Sequence, residues 1–170
     1  KFRGDHTNEA VLDRIVVVKV PYNLRLSEEV KIYEKIIRAA DFSGVHFAPH
    51  TLHIASMFAV LSRLEPSQKC DILTKLKIYN GEEVVEKGRT KKVDAQELRD
   101  DTKREGMVGI STRFIMKAID NACSDSGANR CVNPINVREA LVGMVKEADV
   151  SDDLRKGYLA LLQDTVHKEY

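Results

Sequence analysis

A mainly α-helical fold, with one orphan core strand near residues 15–20 and a small β-insert near 80–94, is what this sequence predicts. Three observations carry that expectation. Several stretches place apolar side chains three and four residues apart, the repeat of a helix that buries one face. Residues 15–18 are an unbroken β-branched run, the pattern of a strand covered on both sides. Asn80-Gly81 and Gly88 bracket Val84 and Val85, which suits a short strand between bends.

Taken in order, NEAVLDR (8–14) predicts one or two helical turns ending at Arg14, and Pro21 closes the strand, since proline cannot donate to an interior ladder. No βαβ series follows to supply that strand with neighbours, so its sheet is expected outside this sequence or as a weak hairpin. Ser27, followed by Glu28 and Glu29, reads as a helix start running to about Ala40, with Val30, Tyr33, Ile37 and Ala40 on one stripe. Residues 41–49 form a connection. Residues 51–64 are apolar around most of a helical circumference and predict a central helix. A further helix is expected over 68–78. Residues 82–105 carry charges of both signs in near-equal number and read as a solvated excursion.

Ser111 or Thr112 can cap a helix carrying Phe114, Ile115, Ala118, Ile119 and Ala122. After a turn-rich loop at 124–133, Pro134 suits the first helical position behind an Asn133 cap, or Asn136 and Glu139 form the box instead. Val137, Leu141, Met144, Val145 and Ala148 trace its stripe. Ser151 with Asp152 and Asp153 opens a last helix, with Leu154, Tyr158, Leu161, Leu162 and Val166 expected inward and the pattern still running near Tyr170.

Composition narrows the function. With 43% hydrophobic and 31% charged residues the chain has material for one real core. Its 27 basic and 26 acidic residues give a net charge of +1, so no long-range pull on nucleic acid or an anionic membrane is expected. No apolar run approaches the roughly 18 residues of a membrane span. Three scattered cysteines, Cys70, Cys123 and Cys131, suit thiols in a reducing compartment, and the expected location is cytoplasmic. The sequence opens at Lys1 without a signal-peptide pattern.

Motifs for independent catalysis are missing. There is no G-x-x-x-x-G-K-[ST] to cradle phosphates, no protein-kinase H-R-D or D-F-G, and no G-x-S-x-G. His46, His50 and His53 lie close together, but they are not H-E-x-x-H and no cysteine sits at ligand spacing, so no metal is assigned to them. Two arginines suit phosphate chemistry better. Arg14 precedes the strand at a sheet edge, and Arg113 opens a helix where backbone N–H groups favour an anion. Guanidinium offers bidentate contact to phosphate, although a surface ion pair is the ordinary use of each.

Three segments, NEAVLDRIVVVKVPYNLRLSEEVKIYEKII (8–37), FAPHTLHIASMFAVLSRLEPS (47–67) and EGMVGISTRFIMKAI (105–119), resemble the bacterial PrkA family, serine protein kinases that carry an AAA+ ATPase module. The resemblance spans most of the chain and is weaker over 82–104 and 120–133. It implies that 1–26 is the end of an AAA+ core, 27–122 a helical lid with a charged insert at 79–104, and 134–170 the opening of a C-terminal helical region. It further implies Arg14 as an arginine finger reaching an ATP held by a neighbouring subunit, and Arg113 as the sensor-two arginine of its own subunit. ATP and Mg²⁺ are then expected in a larger parent that contributes the ATPase core and the C-terminal domain. The segment alone is expected to be inactive and to couple nucleotide state to a kinase-like region, with the protein substrate unspecified. Two other readings stay open: a helical protein-interaction module, and part of an AAA+ remodelling or proteolytic ATPase.

Overall fold

The computed structural model describes residues 14–16, 18–40, 42, 44–86, 89–90, 94–102, 104–125 and 130–166. Helices dominate. In chain order they are α1 (Leu26–Ala39), α2 (Thr51–Leu61), α3 (Ile72–Asn80), α4 (Ala95–Asp101), α5 (Thr112–Asp125), α6 (Pro134–Glu147) and α7 (Asp152–Ala160), with α7 passing into a π-helical turn at Leu161–Val166. The strands are two residues each: β1 (His46–Phe47), β2 (Val85–Glu86), β3 (Arg89–Thr90) and β4 (Cys131–Val132).

Helix α2 is the axis of the fold. Nine of its residues, from Thr51 through Ile54–Leu61, are buried, as expected of a helix apolar on nearly every side. It packs against α1, α3, α5, α6 and the π-helical turn. Around it runs one continuous core, from Leu24 and Tyr33 through Phe58 and Ile119 to Leu141, Leu162 and Val166.

Local chemistry accounts for the helix ends. Asp71 Oδ1 accepts the Thr74 N–H at 2.8 Å and starts α3, and Gly81, in the left-handed region at φ 82°, ends it. The Asn80-Gly81 signal is therefore a helix C-cap, with the hairpin beginning later: β2 and β3 pair antiparallel, Val85 with Thr90 and Glu86 with Arg89. Asn133 and Asn136 exchange hydrogen bonds of 3.0 and 3.1 Å, so the Asn133–Pro134 start of α6 is the one realised. Ser27 does not cap α1. The helix begins one residue earlier, and the Ser27 N–H is met by Asn80 Oδ1 at 2.8 Å from the far end of α3.

Other expectations meet a different outcome. Among the described residues of 15–20 there is no strand; Val16, Val18 and Val20 are 86, 75 and 80% exposed. A strand exists only through a partner's ladder, and no described residue offers one. The expected turns at 8–13 lie outside the described residues, and Arg14 itself stands in a turn. The charged excursion contains helix α4, started by Asp94 and anchored by the wholly buried Leu98. The loops at 41–49 and 124–133 meet in a parallel bridge, His46 with Cys131 and Phe47 with Val132. Finally, Leu154 is exposed, while Leu162 and Val166 are buried and Tyr158 and Leu161 pack partly buried against the core.

Leu98→Ala is expected to lower unfolding stability by about 2–5 kcal/mol in urea titration, whereas Asp100→Ala on the exposed side of α4 should change it by less than about 0.5 kcal/mol.

Candidate functional site

At the end of α2 a charged side chain lies where the helical pattern would place an apolar one. Arg63 is fully enclosed, and its Nη2 meets Glu29 Oε1 of α1 at 2.8 Å. Its Nη1 donates to the Asn23 carbonyl at 2.9 Å and its Nε to the Ile110 carbonyl at 3.1 Å. The guanidinium also lies 4.7 Å from the Tyr22 ring centroid. Tyr33 Oη donates to Glu29 Oε1 at 2.7 Å, and Asn23 Nδ2 donates to Oε2 at 3.2 Å. Burial pushes the Glu29 carboxyl up, but the hydrogen bonds from Arg63 and Tyr33, with the charge of Arg63, outweigh it and hold the group below the ordinary carboxylate range. Burial and the same carboxylate keep Tyr33 protonated far beyond its usual range.

The backbone at this point is shared as well. Gly106 N–H donates to the Arg63 carbonyl at 3.1 Å, Tyr22 N–H donates to the Gly106 carbonyl at 2.8 Å, and Ile110 N–H donates to Ser62 Oγ at 2.9 Å. Gly109, at φ 117°, passes so close that a Cβ would stand 2.6 Å from the Ser62 carbonyl oxygen. The end of α2 thus grips both ends of loop 106–110, and that loop delivers α5. A second enclosed pair supports it: Lys75 Nζ meets Glu105 Oε2 at 2.6 Å and the Glu65 carbonyl at 2.8 Å, while Thr102 Oγ1 donates to the same Glu105 oxygen.

Arg113 stands in the first turn of α5. Ser111 Oγ accepts the Phe114 N–H at 3.3 Å, leaving the N–H groups of the preceding turn without intrahelical acceptors. Arg113 is exposed and, among the described residues, makes neither hydrogen bond nor ion pair. It lines a pocket of about 410 Å³ with Ser111, Phe114 and Lys117 on one side and, on the other, Met144 and Glu147 of α6 and Ala148 just after it. Two cations one turn apart near a helix N-terminus favour an anion there, and Glu147 across the pocket opposes one.

Arg14 is exposed and does not line that pocket, so the structure does not bring the two predicted arginines together. His46, His50 and His53 occupy exposed positions, and His50 is the left-handed residue (φ 64°) before α2. Among the described residues no group of three His, Cys, Asp or Glu side chains is placed to hold a metal ion. Sequence reasoning missed Arg63, Glu29, Lys75 and Glu105. One signal was available: Glu29 lies four residues before Tyr33 and eight before Ile37, on the inward stripe of α1.

The comparisons with known proteins agree over the whole length. Residues 1–71 match the family model described as the PrkA AAA domain, and residues 73–170 match the PrkA serine protein kinase C-terminal domain. The chain is 36% identical over 172 residues to the ATP-dependent protease PrkA of Bacillus subtilis (strain 168), covering 99% of this chain and 26% of that protein. It is 35% identical over 170 residues to the serine/threonine kinase YeaG of Escherichia coli (strain K12), with the same 99% and 26% coverage. The chain therefore spans about a quarter of the length of these curated relatives. No solved structure matches.

Arg63→Ala strands a buried carboxylate and is expected to cost about 3–5 kcal/mol in urea unfolding, against less than about 0.5 kcal/mol for Arg113→Ala on the surface. The Glu29 contribution has a defined pH dependence. Its folded carboxyl is held below the unfolded value of about 4.3, so its stabilisation is complete above that pH and is lost as pH falls toward the lower folded value. Urea midpoints taken from neutral pH downward should show that acid-labile increment in the native chain and lack it in Glu29→Gln.

Proposed function

This chain belongs to the PrkA family, and from that premise we propose that it is the nucleotide-responsive lid and coupling segment of an ATP-dependent serine protein kinase. The observation that carries the proposal is the connection between the Arg113 pocket and the rest of the fold. Arg113 sits just beyond a loop whose two ends are both held by the end of α2. The same residues hold Tyr22 and Asn23, which lead back toward Arg14. A displacement of Arg113 toward an anion is thereby felt at Arg63, at the entry to α1 and along the segment bearing Arg14.

ATP, when bound, supplies the phosphate groups and the γ-phosphoryl to be transferred. The residues here fit a phosphate-bearing group: Arg113 is exposed and unengaged, Lys117 lies one turn further on, and the start of α5 adds its partial positive charge. Arg113 would orient and neutralise phosphate oxygens in its own subunit. Arg14, on an exposed turn, would do so for the neighbouring subunit of an oligomer. The exposed run of Ile15, Val16, Val18 and Val20 supports a segment that works docked against further protein.

A second reading, an AAA+ protease or remodelling ATPase, is favoured by the name of the Bacillus relative. The two readings share the lid and differ only in the use made of the γ-phosphate. Transfer of labelled γ-phosphate to a serine of a protein substrate supports the kinase; ATP-dependent peptide cleavage without such transfer supports the protease.

In the full-length protein, Arg113→Ala and Arg14→Ala are each expected to lower ATP turnover at least about tenfold while leaving the unfolding midpoint unchanged, since both side chains are exposed. Unchanged turnover together with unchanged assembly would remove both roles.

A further inference from the structure

On the other side of loop 105–107 lies a cavity of about 630 Å³ with a pronounced charge imbalance. Lys19 and Arg25 reach it from the segment before α1, Arg99 from α4 and Arg104 from the loop after α4, with Tyr79 and Thr102 completing the wall. None of the four cations forms an ion pair among the described residues, in a chain whose net charge is only +1. The acid on the same wall, Glu105, is spent inward on Lys75 and the Glu65 N–H. Glu28, which feels the charge of Arg25, is engaged by Lys31 at 2.8 Å.

A second observation points the same way. Tyr79 is 4% exposed, and its buried Oη makes no hydrogen bond among the described residues. Thr102 is near enough to influence it, but Thr102 Oγ1 is already engaged by Leu98, Glu105 and Lys75. A buried hydroxyl without a partner is costly, and a small shift of this wall on binding would open it to a ligand oxygen. Arg99 Cζ stands 5.8 Å from the Tyr79 ring centroid, which holds a guanidinium at the same wall.

We propose that this cavity is a second anion site, separate from the Arg113 pocket, that binds a terminal phosphate group. Four cations without acidic partners around one cavity repel one another, and a doubly charged ligand removes that repulsion at several of them at once. Three guanidinium groups offer planar, bidentate donor pairs matched to phosphate oxygens. The volume exceeds that of inorganic phosphate and accommodates a phosphorylated side chain with its flanking backbone, or a small organic phosphate. Because the cavity shares Tyr22, Asn23 and Glu105 with the contacts at the end of α2, its occupancy would stiffen the same junction from the opposite face.

Isothermal titration calorimetry on the chain, with pyrophosphate, a phosphoserine peptide, its unphosphorylated counterpart and succinate as probes, tests the site. The proposal expects pyrophosphate or the phosphopeptide to bind, with affinity falling as salt rises. The double variant Arg99→Gln/Arg104→Gln should weaken that binding at least tenfold, and Lys31→Gln/Arg38→Gln, which removes equal charge elsewhere, should not. All four side chains are exposed, so unchanged urea midpoints would show the variants folded. A preference for the phosphopeptide identifies a protein-borne phosphate, and a preference for pyrophosphate a free one. The proposal is overturned if no phosphate probe binds, if succinate binds equally well, or if Arg113→Gln abolishes binding while Arg99→Gln/Arg104→Gln does not.

Discussion

The enclosed pair between Arg63 and Glu29 is the interaction on which the rest of the structure depends. Moving two such charges out of water costs several kcal/mol per ion even after relaxation, and their attraction offsets this only when nearly every donor and acceptor is used. Here that condition is met. Arg63 reaches one carboxylate, two carbonyls and a tyrosine face, and Glu29 receives three different side chains. An apolar pair of equal volume would fill the space with less penalty, but it would not select one arrangement of the chain segments that meet there. The pair acts as a register device: it fixes where the entry to α1, the end of α2 and loop 106–110 stand relative to one another.

Under the proposed function, that register is what would let a chain with no G-x-x-x-x-G-K-[ST] motif respond to nucleotide. The residues suited to phosphate are exposed and unengaged, while the residues that position them are buried and fully engaged. Such a division lets a ligand act on the surface group and lets a rigid junction carry the displacement onward. Gly109 is part of the same device, because only a residue without a Cβ permits loop 106–110 to lie against the Ser62 carbonyl. Among the described residues the core is continuous from Leu24 to Val166, so under the proposed function a movement at the junction would pass through α2 to α6 and the last segment.

Much of this was legible in the sequence, and the reasons for the rest are specific. The central helix, the Asn133–Pro134 start and the inward faces of α5 and α6 follow from periodicity and capping chemistry, which are local. The small β-insert was legible near its place, although Asn80-Gly81, read as its first turn, is the C-cap of α3. Arg63 escaped because its partners lie 34 and 47 residues away, at Glu29 and Ile110. The parallel bridge of β1 and β4 escaped because two residues carry no alternation to read. Helix α4 was hidden by its charge, since one buried leucine among acids looks like surface. The expected strand at 15–20 failed for the opposite reason: its β-branched run is a strong local signal, but a ladder needs a partner. The helix start beside Arg113 was legible from its capping residues, whereas its link to the fold's central ion pair was not.

Amide hydrogen exchange in the native chain and in Glu29→Gln tests the central claim most directly. The Tyr22, Gly106 and Ile110 amides report the three segments that meet at Arg63, and Val137, bonded to the Asn133 carbonyl at the start of α6, reports the core away from it. If one charged junction holds these segments in register, the three amides lose protection together, by a common factor larger than that at Val137. Loss confined to the amides of α1, with Tyr22, Gly106 and Ile110 still protected as in the native chain, would contradict the account.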